Sequence, residues 1–198
     1  MEKEIISKEE FDKLMALEGE TRGLGFKTEA KFVLKEEGEE GLKRLKEVMS
    51  DFGYPYEKIS PMEFYPLGLL GVALLAIKRL FNYDDKKFQQ MGEFEAKASL
   101  IIRLFMKYFV SLDRVAKEAP KMWRKYYTIG NLKVAELNKE KRYIIIRIEN
   151  FKLHPILCEV LKGYYVSIVK MIVKTSVSCE ETRCMHKGGE WHEFLIKW

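Results

Sequence analysis

The feature that most constrains the fold is a change of hydrophobic period near Trp123. Before this point apolar residues recur every three or four positions, as in amphipathic helices, and after it they alternate with polar residues, as in strands. The clearest strand pattern is Tyr143–Ile148, which is rich in β-branched residues. His154-Pro155 then begins another helix, and two more strand-like segments follow at 172–180 and 190–198. This order predicts an α+β fold, with several N-terminal helices packed on a C-terminal antiparallel sheet of about four strands and one crossing helix.

The N-terminal half contains one especially apolar segment. Leu67 to Ile77 is a run of 11 apolar residues or glycines, which is too short to span a bilayer and therefore predicts a buried core helix. Periodic spacing predicts a longer helix from Lys86 to about Val110, and another helix that follows Ser111 and ends near Pro120. The segment from Leu24 to Leu34 is compatible with alternation and predicts a first strand or an irregular entry.

The first residues have the pattern of a separate arm. Ser7 and Glu10 form a capping-box pattern in front of a short amphipathic helix, and a glycine-containing tether follows. We therefore divide the chain into an N-terminal helical arm at 1–23 and one domain at 24–198. An arm with an apolar face needs a surface to pack on, and a second subunit is a common solution. The sequence thus predicts a homodimer joined by its N-terminal half.

Composition and charge exclude several classes of protein. The 198 residues are 47% hydrophobic and 33% charged, as in an ordinary soluble globular protein, and the net charge of +5 is too mild to indicate nucleic-acid binding. A basic and aromatic stretch at Lys121–Tyr127 has the chemistry to stack on nucleic-acid bases, but basic residues also suit a helix end, which is the reading we favour. Without a signal segment or a membrane span, we expect a cytoplasmic protein with no nucleic-acid and no membrane partner.

All three cysteines and all three histidines lie between His154 and His192, interleaved with acids. These side chains are soft and borderline metal ligands, so their clustering predicts a metal site. Cys158 begins a helix, Glu181 and Cys184 lie at the start of the last loop, and His192 is on the last strand. The spacing is not that of a zinc finger, and buried thiols with surface histidines remain the alternative.

Short motifs near the C-terminus carry a family resemblance. They are His154-Pro-Ile-Leu-Cys158, Gly163, Glu181-Thr-Arg-Cys184, Gly188-Gly189 and His192-Glu-Phe194. With them the chain resembles the 4-vinyl-reductase domain and its relatives in the haem-nitric-oxide-binding-like superfamily. The phenol-sensing members hold zinc with Cys-x22-Glu-x2-Cys-x7-Cys, and this chain has Cys158-x22-Glu181-x2-Cys184-x7-His192. The resemblance therefore implies zinc at these four residues, with a histidine in place of the fourth cysteine. A fainter likeness extends upstream through Tyr65-Pro66, Met91-Gly92 and Ala119–Tyr126.

The resemblance also implies an apolar cavity between long helices and a sheet. We expect a small hydrophobic molecule in this cavity, with Phe105, Phe109, Trp123 and Tyr127 on its wall. Haem is the best-known cofactor of the superfamily, but the haem-binding branch uses a histidine on a central helix. The predicted helices between residues 67 and 119 contain no histidine. A haem-binding gas sensor is therefore kept as an alternative.

Two function classes follow from these expectations. The first is a ligand-binding or sensor module of the 4-vinyl-reductase type, braced by a structural zinc ion. The second is an interaction or assembly subunit, like the vesicle-tethering relatives of the superfamily. The sequence gives less support to an enzymatic function. Cys184 and His186 are close in sequence, but no third group is positioned to orient a base for nucleophilic catalysis. The glycines form no nicotinamide-binding pattern. We expect a protein that is not an enzyme and leave an enzymatic role open.

Overall fold

The computed structural model describes residues 5–98 and 111–198. The helical half contains two short strands, β1 (Glu20–Arg22) and β2 (Phe64–Pro66), which pair antiparallel. Its described helices are α1 (Lys8–Met15), α2 (Leu24–Asp51), α3 (Leu67–Phe81), α4 (Asp85–Ala98) and α5 (Leu112–Tyr126). Phe105, Phe109 and the end of the helix that we predicted for 86–110 lie outside the described residues.

The C-terminal half is an antiparallel sheet crossed by one helix. The strands are β3 (Asn131–Asn138), β4 (Tyr143–Glu149), β5 (Ser178–Arg183) and β6 (Trp191–Lys197), in the spatial order β3-β4-β6-β5. Helix α6 (Pro155–Val173) connects the two hairpins and packs on β5 and β6. Along β4 every second residue is buried, since one face of the strand points to the helices. The predicted α+β architecture is confirmed.

Helix α3 is the buried element that its composition predicts. All its residues from Leu67 to Ile77 are buried. Among the described residues, no helix has both the length and the apolar character needed to cross a membrane. Helix α1 begins at the predicted capping box of Ser7 and packs on α3, where Leu14 is buried. The apolar face of the arm is therefore covered by its own chain, and the arm no longer requires a second subunit.

Helix α2 replaces the strand or irregular entry that we predicted for 24–34. Phe26, Glu29 and Val33 are all buried, and their spacing of three and four positions is that of one helix face. The apparent alternation came from Phe32 and its half-buried neighbours Ala30 and Leu34, which lie on or beside the same helix face. One residue within the helix, Gly38, has a positive φ of 71° and marks a kink.

Helix α5 continues past the proline at which we expected it to end. Pro120 lies inside the helix, where it removes one backbone hydrogen bond. Trp123 offsets this loss because its ring is buried against Phe151, with ring centroids 4.8 Å apart. The Trp123 indole N–H also donates to the Ile129 carbonyl at 3.1 Å.

Candidate ligand cavity and metal cluster

A cavity of about 170 Å³ lies between the helices and the sheet. Its wall is mostly apolar, with contributions such as Leu70 from α3, Val115 and Ala119 from α5, and Leu157 and Leu161 from α6. Apolar cavities of about 150 Å³ bind benzene. The cavity is therefore large enough for a molecule with one aromatic ring.

Two of the four aromatic residues that we predicted for the cavity wall are at the cavity. Trp123 and Tyr127 line it, and their rings lie against each other with centroids 4.4 Å apart. Phe105 and Phe109 are outside the described residues. A role of any of the four in binding a ligand stays a prediction.

Two acidic residues, Glu29 and Glu95, also line the cavity. Glu29 is only 2% exposed, and its Oε2 atom has no hydrogen-bond partner in the structure. Burial, and then the charge of Glu95, raise the pKa of Glu29 well above its ordinary value. Burial raises the pKa of Glu95 to about 8. A buried carboxyl group without a hydrogen-bond partner costs free energy. This part of the wall therefore suits a ligand with a polar group better than a purely apolar one.

A close helix crossing holds α4, which carries Glu95, against α6. A Cβ atom at Gly92 of α4 would lie 1.9 Å from the Val160 carbonyl oxygen, and one at Gly163 of α6 would lie 1.8 Å from the Gln89 carbonyl oxygen. Only glycine fits at both positions, because any side chain would push the two backbones apart. The crossing therefore fixes the position of Glu95, less than one turn beyond Gly92, relative to the α6 wall.

Local structure places the four predicted metal ligands together. Cys158 is near the start of α6, which His154 caps by accepting a hydrogen bond from the Ile156 N–H at 3.2 Å. Glu181 is on β5, Cys184 follows that strand, and His192 is on β6. The loop between these strands turns through Gly188, whose φ of 86° favours glycine, and the Gly189 N–H donates to the Cys184 carbonyl at 2.9 Å.

One ligand atom from each of Cys158, Glu181, Cys184 and His192 lies within 4.8 Å of the others. His192 Nδ1 is 2.8 Å from Glu181 Oε1 and 3.6 Å from Cys158 Sγ. On the other side of the ring, Nε2 donates to the Phe151 carbonyl at 3.1 Å. A ligating histidine typically donates its second N–H in this way, which fixes the ring and turns its free nitrogen toward the metal.

Neighbouring side chains in the cluster change the pKa values of Cys158 and Glu181. Burial, together with the charges of Glu181 and Cys184, raises the pKa of the Cys158 thiol. Burial acts to raise the pKa of Glu181, but hydrogen bonds from His192, Cys184 and Cys158 outweigh it and lower that pKa. Two sulfurs, one nitrogen and one oxygen form a donor set that suits several transition-metal ions.

Two neighbouring residues of the same types lie outside the four-residue set. The ring centroid of His186 is 5.5 Å from that of His192, and burial lowers the pKa of His186 to about 4. Cys179 is half-buried on β5, where burial raises its pKa to about 12. Among the described residues, the set that can hold a metal ion is therefore the one that the spacing predicted.

Glu29 and Glu95 were missed by the sequence reasoning. Each occupies a position on the apolar face of a helix, Glu29 between Phe26 and Val33, and Glu95 four positions after Met91. An acid at a core position of a helix is the signal that identifies them. This signal was not visible at Glu29 because residues 24–34 were not recognised as part of a helix.

The fold is that of solved haem-nitric-oxide-binding (H-NOX) domains. An H-NOX protein from S. oneidensis in the Fe(II) state has a TM-score of 0.68 and 14% identity over 89% of this chain and 95% of that one. The Fe(II)NO state of an S. oneidensis H-NOX protein has a TM-score of 0.66 and 14% identity, covering 89% and 98%. A third solved structure, which concerns the modulation of haem redox potential through protein-induced porphyrin distortion, has a TM-score of 0.59 and 16% identity. The match covers 89% of this chain and 99% of that one. No protein-family model matches the chain, and no curated protein matches it.

These neighbours correct the cofactor prediction. Zinc was expected from the spacing of the ligands, but two of these solved structures are in Fe(II) and Fe(II)NO states, and a third concerns haem redox potential. The prediction of zinc as the cofactor is therefore wrong. The physical reason is that a Cys, Glu and His set is compatible with several metal ions and does not specify zinc. The haem-nitric-oxide-binding part of the resemblance is confirmed at the level of the fold, and its 4-vinyl-reductase part stays a prediction.

The residues of the cavity do not fit haem well. All three histidines and all three cysteines of the chain are absent from the cavity wall, so neither usual axial ligand is available there. Met122 and several tyrosines are on the wall, but they face a space close to the size that holds benzene. A porphyrin is several times larger.

Proposed function

We propose that this chain is a ligand-binding sensor module whose cavity holds a small, mainly apolar molecule. The observation that carries the proposal is the cavity of about 170 Å³, with a mostly apolar wall that includes five aromatic residues and two acids. Its position between the helical layer and the sheet suits a sensor, since a bound molecule contacts α2, α4, α5 and α6 together. A guest can thereby change the packing of these helices.

A haem-binding gas sensor is the second candidate. The solved neighbours favour it, because they are H-NOX proteins in Fe(II) and Fe(II)NO states. The composition of the cavity wall favours the smaller guest. The absorption spectrum of the purified protein, before and after incubation with hemin, separates the two. A stoichiometric Soret band would replace the first candidate by the second.

The test of the first candidate is a variant that fills the cavity. Ala119 of α5 lines the cavity, whereas Ala116 on the same helix is half-buried away from it. Ala119→Leu should weaken the binding of a one-ring probe such as toluene by about tenfold or more, because the added methyl groups occupy its space. Calorimetric titration measures the effect, and Ala116→Leu is the matched control. Equal affinities in both variants would contradict a guest in this cavity.

The cluster of Cys158, Glu181, Cys184 and His192 has a separate proposed role. We assign it as the site of one transition-metal ion that joins the start of α6 to β5 and β6. Four protein ligands leave no open coordination position in a tetrahedral site, so the role of the ion is structural rather than catalytic. Elemental analysis of protein produced without a metal-binding tag tests its presence and identity.

Homodimerisation stays a prediction. The arm at 1–23 no longer supports it, because α1 is buried on α3 of the same chain. What supports it now is the opposite sign of the charge in the segments before and after residue 50. Light scattering would show a particle of about twice the chain mass of 23.4 kDa for a dimer.

A further inference from the structure

We infer that the guest of the cavity carries a primary ammonium group, for which Glu29 and Glu95 are the counter-ions. This inference rests on the proposed function and specifies its ligand class: a small apolar amine. It starts from Glu29 Oε2, a buried carboxyl oxygen on the cavity wall that has no hydrogen-bond partner in the structure.

The two acids share one part of the cavity. Both line a space of about 170 Å³, and the charge of Glu95 acts on the ionisation of Glu29 and of Tyr127. Tyr127 also lines this cavity, so the wall that contains the two carboxyl groups contains an aromatic ring as well. A cation near this ring gains from the negative face of the aromatic system as well as from the carboxylates.

The described residues of the wall provide little positive charge to balance these acids. Among the described residues, Arg22 is the basic side chain that lines the cavity. Its guanidinium group donates to the Lys125 carbonyl at 2.6 Å and to the Met62 carbonyl at 3.1 Å, and it forms no described ion pair with either acid. Since no described residue of the wall supplies a counter-ion, the acids stay protonated unless a cation comes from elsewhere.

An ammonium group can neutralise and hydrogen-bond the two acids better than a hydroxyl group can. It carries a charge and three donors without an acceptor, so it can donate to both carboxylates at once. Hydrogen bonds to charged groups are stronger than those between neutral groups, and they are strongest where water is excluded. The apolar remainder of the guest would occupy the wall formed by residues such as Val160 and Leu161.

Calorimetric titration with three probes of one shape tests the inference. Benzylamine, benzyl alcohol and toluene share a ring and differ in one group. Benzylamine should bind at least about tenfold more tightly than benzyl alcohol. Equal or tighter binding of the alcohol would overturn the amine assignment and leave the cavity function intact. Binding of none of the three would defeat the cavity function itself.

Two variants identify the counter-ion. Glu29→Gln keeps the shape of the side chain and removes its charge, so it should reduce the preference for benzylamine over benzyl alcohol to less than about threefold. Ser167→Ala is the matched control, since Ser167 is also buried with an unpartnered hydroxyl but does not line the cavity. It should retain the full preference. An unchanged preference in Glu29→Gln would overturn the role of Glu29.

Proton release provides an independent readout. Titratable side chains on the described wall are Arg22, Glu29, Glu95, Tyr126, Tyr127, Tyr164 and Tyr165. At pH 7 the pKa of Glu95, about 8, keeps its carboxyl group mostly protonated, and binding of an ammonium ion would expel a proton. Titrations in two buffers of different ionisation enthalpy should therefore give different heats for benzylamine and equal heats for toluene. Equal heats for benzylamine would contradict the inference.

Discussion

The cluster at 158–192 and the acid pair in the cavity are both buried polar sites, but they differ in how their atoms are satisfied. In the cluster each side of the His192 ring has a partner, and Glu181 accepts hydrogen bonds from three neighbours. In the cavity Glu29 Oε2 has none. The polar atoms of the cluster are therefore satisfied by one another and by the backbone, whereas Glu29 in the cavity wall is not. The first arrangement suits a permanent structural site, and the second suits a site for an exchangeable ligand.

The largest expected effect is from removing a member of the cluster. His192→Ala would leave the buried Phe151 carbonyl without its donor and Glu181 without one of its three hydrogen-bond partners, and it would remove one of the four proposed metal ligands. We expect the free energy of unfolding to fall by about 3–5 kcal/mol, with loss of any bound ion. Chemical denaturation and elemental analysis measure the two effects. His186→Ala, next to the cluster, should change both far less, and comparable losses in the two variants would remove the distinction between these histidines.

Replacing Glu29 in the cavity wall should raise the free energy of unfolding rather than lower it. Glu29→Leu removes a buried carboxyl group that lacks a partner and leaves an apolar side chain of similar size. We expect the ligand-free protein to gain about 1–3 kcal/mol in its free energy of unfolding. Glu40→Leu, at an exposed position of the same helix, is the control and should change it by less than about 0.5 kcal/mol. A loss of stability in Glu29→Leu would mean that Glu29 has a structural partner.

The pH dependence of stability gives the most specific test of the two acids. The pKa values of Glu29 and Glu95 are raised, so the folded protein binds their protons more tightly than the unfolded chain does. This contribution is complete below the ordinary value of 4.5 and is lost as the pH rises to about 8. Each proton corresponds to a slope of about 1.4 kcal/mol per pH unit. Thermal denaturation of the Glu29→Gln, Glu95→Gln double variant should show a flatter profile than the parent, and superimposable profiles would contradict the burial of these charges.

The sequence predicts the regular parts of the molecule well. The apolar run at Leu67–Ile77 is too short to span a bilayer, and such a run predicts a buried helix. The isoleucines of β4 likewise fit only a half-buried strand. The four cluster residues were also identified, because their residue types are rare elsewhere in the chain and their spacing matched a known pattern.

Sequence reasoning failed where tertiary packing overrides a local signal. Pro120 normally ends a helix, but the buried ring of Trp123 three residues later keeps α5 helical. Glu29 was overlooked because residues 24–34 were not recognised as a helix. Its burial depends on the packing of α2 on α3 and α4, which a local pattern does not reveal.

Helix α6 is shared by the two sites, because Cys158 belongs to the cluster while Leu157 and Leu161 belong to the cavity wall. If both proposed sites are occupied, a ligand that displaces α6 relative to β6 would change the affinity of the cluster for an ion. Thermodynamic linkage would then require the ion to change the affinity for the ligand by the same factor. Metal occupancy and ligand occupancy would in that case be reciprocal quantities, and each could be measured through the other.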